Sequence, residues 1–219
     1  MTTTPRRLNM ANTITVLRLP VLVVVVALLY ARSAPWRVAA TPLIVILILM
    51  DTMDGIVARA RDESTLLGSV LDIMVDRTVE LVLWICLSDM GLVSVVIPII
   101  FVVRGTIVDG LRSVHVSEGQ RPFDSVRSPL GRALVKSPWM RTSYGIVKCV
   151  AFAGLALASA LALYAAQGSL SQAVADGVRR AFQGVAWLAT AFCLARGIPV
   201  IVEAASTLTI TDSQEGRGA

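Results

Sequence analysis

Four aspartates carry the chemistry this sequence could do: Asp51 and Asp54, three residues apart, and Asp72 and Asp76, four apart. In a helix those intervals place each pair on one side of its own segment. All four lie inside or beside long apolar runs, where an ionised carboxylate at mid-bilayer depth costs ~2.5–3.5 kcal/mol on insertion scales. Four of them amount to a penalty of about 12 kcal/mol, so the acids need a compensating partner. Hard divalent cations such as Mg2+ or Mn2+ take oxygen ligands, and two such ions ~4 Å apart can organise an in-line displacement at phosphorus. Without a cation the carboxylates repel one another. Gly55, Ala58 and Gly68 remove side-chain bulk near the acids and let a ligand or a neighbouring backbone approach; packing between membrane helices explains such small residues about as often.

The elements that must position these acids are apolar. Of 219 residues, 55% are hydrophobic and 16% charged, with a mean hydropathy of +0.73, which makes lipid the solvent. The net charge of +5 and pI near 9.6 point to anionic lipid and phosphorylated ligands rather than nucleic acid, because the cations are scattered among apolar runs. At ~20 residues per crossing, the expected architecture is an all-α polytopic membrane protein with six transmembrane helices, over residues 13–31, 39–60, 65–90, 93–114, 143–166 and 181–209. The transmembrane domain then covers residues 13–209, between an N-terminal juxtamembrane segment, 1–12, and a polar C-terminal tail, 210–219, expected to be disordered. Arg6 and Arg7 beside Leu8 and Met10 suit a short piece lying on the membrane surface, and a disordered basic tail about equally well. The apolar run that follows has no small-residue cleavage site, so it reads as a retained helix rather than a secretory signal.

Only Arg61 to Ser64 separate the second and third helices, which forces an antiparallel hairpin. Asp51 sits before that turn about as far as Asp72 sits after it, which puts both at a similar depth of ~12–14 Å at the usual rise per residue. Two facing helices can then aim four carboxylates into one space. The Lys and Arg bias places both termini and this end of the hairpin on the cytoplasmic side, with Arg6, Arg7, Arg59, Arg61, Arg112, Arg121, Arg127, Arg132, Lys136 and Arg141 there, against Arg32, Arg37, Arg179 and Arg180 opposite. The connection from His115 to Thr142 holds Gly119, Pro122, Pro129 and Pro138 and cannot cross; Ser128-Pro129 followed by Leu130, Leu134 and Val135 predicts a short interfacial helix. Cys86, Cys149 and Cys193 lie in separate apolar runs without metal-ligand spacing and read as core filler. His115 has no role here.

The string Asp51-x2-Asp54-Gly55-x2-Ala58-Arg59-x8-Gly68-x3-Asp72-x3-Asp76 resembles the full signature of the CDP-alcohol phosphatidyltransferase family. Asn12-x2-Thr15-x2-Arg18 is similar to the family's usual opening, and the resemblance covers roughly residues 8–205. It implies transfer of a phosphatidyl group from CDP-diacylglycerol to an alcohol, with release of CMP and a role in phospholipid biosynthesis. It also implies that Asp51, Asp54, Asp72 and Asp76 hold Mg2+ or Mn2+, with two ions expected, and that Asp76 is the catalytic base. Gly55, Ala58, Arg59 and Gly68 would border the CMP moiety. A direct displacement is favoured over an aspartyl-lipid intermediate, since a carboxylate occupied by metal is a poor nucleophile. Homodimers are common in this family.

The acceptor must be recognised elsewhere. Arg104, Arg112, Arg141 and Lys148 sit at membrane depth or its edge; singly each reads as snorkelling or as a partner for Asp109 or Glu80, but together they favour an acceptor bearing phosphate. Arg104-x7-Arg112 and Gly145-x2-Lys148 are similar to stretches of bacterial phosphatidylglycerophosphate synthases, which implies glycerol 3-phosphate as acceptor and a bacterial-type inner membrane as location. Ile146 and Cys149 stand where a lysine and a threonine are usual there, so inositol phosphate is the nearest rival, followed by inositol, serine, choline and a second lipid. A small cation transporter is the competing class, since intramembrane acids also bind transported ions. Confinement of all four acids to one hairpin, with no broken-helix pair and no internal repeat, argues against it.

Overall fold

The computed structural model describes residues 10–60, 66–117 and 137–215. Six helices occupy them and no strand is found among the described residues: α1 (Met10–Leu29), α2 (Ala34–Ala60), α3 (Leu66–Asp89), α4 (Val96–Ser117), α5 (Pro138–Ala166) and α6 (Gln172–Glu215). The segment before Met10, the Arg61–Ser64 turn and the interfacial helix expected after Ser128-Pro129 lie outside the described residues. So do the side chains of Asp54, Gly55, Ala58, Arg59, Arg112 and His115.

Four helices hold stretches long and apolar enough to cross a membrane: Asn12–Leu29, Ala34–Asp51, Trp139–Ala166 and Gln172–Val202. This is an integral membrane protein. Charge, not length, sets α3 and α4 apart. Every 18-residue window of α3 includes Asp72, Asp76, Arg77 and Glu80, and every such window of α4 includes Arg104, Asp109 and Arg112.

Four helices begin behind a serine, and three of them, α2, α5 and α6, start earlier than apolar content alone predicts. The carbonyl of Ser33 accepts from the Arg37 N–H, that of Ser94 from Ile97, that of Ser137 from Arg141, and that of Ser171 from Val174 and Ala175. The Ser94 hydroxyl also accepts from the Val96 N–H at 3.4 Å. Pro138 follows Ser137 at the first position of α5, where its missing N–H costs nothing. Gly91 and Gly168 close α3 and α5 with positive φ of 69° and 75°. Beyond each, an N–H reaches back five residues, Leu92 to the Leu87 carbonyl and Ser169 to that of Tyr164, the Schellman pattern that only glycine enters without strain. α6 runs to Glu215, past the expected end at residue 209 and into the tail expected to be disordered; no Pro or Gly interrupts the chain between Pro199 and Gly216.

The chain divides into two units: residues 1–93 with 149–183, and residues 94–148 with 184–219. In the first, α1 packs against α2 and α3. Its buried residues fall at Asn12, Thr15, Arg18, Leu22, Val25 and Leu29, one stripe at intervals of three and four, polar toward the N-terminal end and apolar beyond. Ala40, Ile44 and Leu47 lead down the matching face of α2 to Asp51, one turn further on. Val75, Val79, Leu83 and Leu87 do the same on α3. Trp84 packs against Phe152 with ring centroids 4.5 Å apart and the rings tilted by 53°, and the Phe182 ring lies so close over Gly154 that it leaves no room for a Cβ there. Val16, Leu17, Val23, Val24, Ile46 and Leu49 face outward, as lipid-facing surface requires. At the far end of α1 and α3 from the aspartates, the Tyr30 hydroxyl donates to Asp89 Oδ2 at 2.6 Å. Partial burial and then this bond push the phenol above its ordinary range. In the second unit, Val108 of α4, Val200 and Ile201 of α6 form a small apolar cluster.

Candidate active site

The polar half of the α1 stripe ends at Arg18, whose side chain is 1% exposed, and three of the four aspartates surround it. Its Nη1 donates to Asp51 Oδ1 at 2.6 Å. Asp72 Oδ1 lies 3.9 Å from Nη1 and Asp76 Oδ1 lies 3.8 Å from Nη2. Asp51 of α2 and Asp72 and Asp76 of α3 thus meet around Arg18 of α1. The acids are 38%, 49% and 42% exposed, so their carboxylates remain open to a ligand from a side on which the guanidinium is sealed off. Gly68 is half-buried on α3, one turn before Asp72.

The buried guanidinium offsets part of the like-charge repulsion among these acids. Among the described residues no three acidic, Cys or His side chains converge tightly enough to hold a metal ion; the three carboxylates are gathered on Arg18 instead. The donor set is nevertheless all oxygen, the choice of Mg2+ and Mn2+, and its centre already selects a cation. Asp51, Asp72 and Asp76 thus offer the donor chemistry such an ion takes, with their carboxylates gathered on Arg18 in this structure. Glu80, 3% exposed, pairs with Arg77 of its own helix at 2.9 Å. Cys86 and Cys193 are buried, Cys149 is half-buried, and none is in a disulfide.

The second unit holds a basic group of its own. Lys148 Nζ stands 4.6 Å over the Tyr144 ring, and Arg196 Cζ of α6 lies 5.6 Å from the same ring. Arg104 and Arg141 are near enough for like-charge repulsion with Arg196. Arg104 crosses α6 at Gly197, where an added Cβ would stand 2.6 Å from Arg104 Cγ and 2.8 Å from Nε. Among the described residues, Arg104 Nε and Arg196 Nη1 are buried nitrogens without a hydrogen-bond partner. Buried donors of this kind call for an acceptor, and an anion satisfies several at once. Three of the cations anticipated from sequence, Arg104, Arg141 and Lys148, therefore share one unit with Arg196; the Arg112 side chain lies outside the described residues.

Residues 8–209 match the CDP-alcohol phosphatidyltransferase family. The chain belongs to that family. No curated protein matches the sequence. Membership makes the protein an enzyme that transfers a substituted phosphate group from a CDP-linked alcohol to an acceptor, in a family generally dependent on divalent metal.

Two residues of the basic and acidic groups escaped the reading of function from sequence. Arg18 was visible only as part of the family's opening, yet Asn12, Thr15 and Arg18 at intervals of three inside an apolar helix were a signal that one face meets polar partners. Arg196, a lone cation between Phe192 and Pro199 in an apolar span, carried the same signal.

Proposed function

We propose that the enzyme transfers the phosphatidyl group of CDP-diacylglycerol to a phosphorylated alcohol, glycerol 3-phosphate in first place, releasing CMP and forming phosphatidylglycerophosphate in phospholipid biosynthesis. The observation that carries the reading is the convergence of Asp51, Asp72 and Asp76 on one centre, together with the signature they belong to. Asp51, Asp54, Asp72 and Asp76 hold Mg2+ or Mn2+, two ions in this reading, against the donor pyrophosphate. Bound there, the metal supplies neutralisation of the charge that builds on the departing CMP. Asp76 takes the proton of the acceptor hydroxyl at its carboxylate; the freed oxygen forms the new bond to the phosphatidyl phosphorus as the bond to the CMP oxygen breaks. Gly55, Ala58, Arg59 and Gly68 border the CMP moiety.

A phosphate on the acceptor is supported by the basic group around Tyr144. Arg104, Lys148 and Arg196, with Arg112 and Arg141, supply charge and buried donors that an uncharged alcohol would leave unused. Inositol phosphate meets the same requirement and is the second reading. In the membrane, α3 and α4 cross alongside the four apolar helices, giving six crossings; their 24 and 22 residues are long enough, and of their charges Asp72, Asp76 and Arg104 belong to the two groups just described while Arg77 and Glu80 pair with each other. Both termini and the aspartates face the cytoplasm of a bacterial-type inner membrane, supported by the Lys and Arg bias. The test is CMP release by the purified protein with Mg2+ or Mn2+, CDP-diacylglycerol and each acceptor in turn; failure to release CMP with any acceptor of the panel refutes the reading.

A further inference from the structure

We propose that Arg18 is an internal counter-cation that competes with divalent metal for the aspartates, holding Asp51, Asp72 and Asp76 together in the metal-free enzyme and withdrawing from between them when metal binds. The proposal rests on the metal reading above and adds to it a residue that sets how tightly metal is held. Its guanidinium nitrogens lie 2.6, 3.9 and 3.8 Å from one oxygen of each acid. A magnesium ion bound through those same three oxygens needs them at ~2.0–2.1 Å. One point cannot be occupied by both, and the arginine cannot step aside by losing its proton, because it stays charged in proteins.

The fold provides both ends of the exchange. Against metal, Arg18 is anchored on the inner stripe of α1 and almost wholly buried, so its charge is delivered to the acids from below while their open sides face the ligand. For its release, side chains on a helix lean toward the N-terminus, and the buried residues one and two turns in that direction are Thr15 and Asn12. A displaced guanidinium therefore moves along a polar face, not into the apolar half of the stripe at Leu22 and Val25. Metal binding then carries a conformational tax, since only the fraction of molecules with Arg18 withdrawn is competent.

The sign of one measurement separates this from an ordinary structural salt bridge. Mn2+ binding to the full-length protein in detergent, read by the electron paramagnetic resonance of free Mn2+, should become at least ~10-fold tighter in Arg18→Gln, since like charges about 4 Å apart near a protein surface repel by more than one decade in binding constant. The metal-free variant should also melt earlier than wild type, and Mn2+ should raise its melting temperature by more than it raises that of wild type. Arg18→Lys, which keeps the charge, should bind Mn2+ within about threefold of wild type. Unchanged or weaker binding by Arg18→Gln overturns the proposal, as does equal tightening in Arg18→Lys. Recovery of folded Arg18→Gln only when Mg2+ is present throughout purification supports the exchange of one cation for another; recovery under neither condition overturns it. Absence of Mn2+ binding by wild type itself removes the metal reading, an outcome distinct from a wild type that binds and a variant that binds no tighter.

Discussion

Gly197→Ala tests whether the basic group around Tyr144 reads the acceptor. The added Cβ would stand 2.6 Å from Arg104 Cγ, 2.8 Å from Nε and 3.3 Å from Cδ. Carbon atoms rest ~3.5–4.0 Å apart, so the Arg104 stem must retreat by about 1 Å. A guanidinium displaced by that distance gives up a charge-assisted hydrogen bond to phosphate, worth ~1.5–3 kcal/mol. That corresponds to a loss of about 10- to 100-fold in affinity for a phosphorylated acceptor. The assay is CMP release with the acceptor varied at saturating CDP-diacylglycerol, then with the donor varied at saturating acceptor. The acceptor KM should rise by one to two decades and the donor KM should stay within about twofold. An unchanged acceptor KM, or equal damage to both, refutes the assignment of Arg104 to acceptor phosphate. Gly154→Ala is the control, because its Cβ would run into the Phe182 ring in the other unit.

That control should lower stability by roughly 1–3 kcal/mol through overpacking, seen as an earlier melting transition in detergent, with the ratio of donor to acceptor KM unchanged. Asp76→Asn removes the proposed base and one charge; turnover should vanish while the protein still melts cooperatively, and near-normal turnover would show that the hydroxyl proton goes elsewhere. Lys148→Ala should raise the acceptor KM with little change for the donor, since the cation poised 4.6 Å over Tyr144 is lost without opening the apolar core; an unaltered acceptor response assigns Lys148 to packing on that ring.

The aspartate centre was legible because its signals are local and costly. Intervals of three and four put each pair of acids on one helix side, and the penalty for acids among apolar residues demands a cation. The identity of the cation found at that centre was not legible in the same way. Arg18 sits 33 residues from Asp51, and no periodicity tells which neighbour the α1 stripe will meet. The same limit applies to Arg196, brought to Tyr144 by packing of α6 against α5 within the second unit. Glu80 also meets Arg77, three residues away on the same helix, since neighbours at that interval need no tertiary contact to meet. Helix ends were misjudged where polar turns such as Gln172 to Arg180 are helical behind a serine cap: hydropathy reports lipid contact, whereas capping reports where the backbone begins to coil.

The most direct measurement is an acceptor panel with radiolabelled glycerol 3-phosphate, inositol phosphate, inositol and serine, each supplied with CDP-diacylglycerol and Mg2+ or Mn2+ and read by CMP release and lipid chromatography. Labelled lipid should form with a phosphorylated alcohol, glycerol 3-phosphate first, should require the divalent cation, and should be absent with inositol or serine. Equal labelling from an unphosphorylated alcohol would contradict the role given to Arg104, Lys148 and Arg196, and CMP release that persists in EDTA would contradict the role given to Asp51, Asp72 and Asp76.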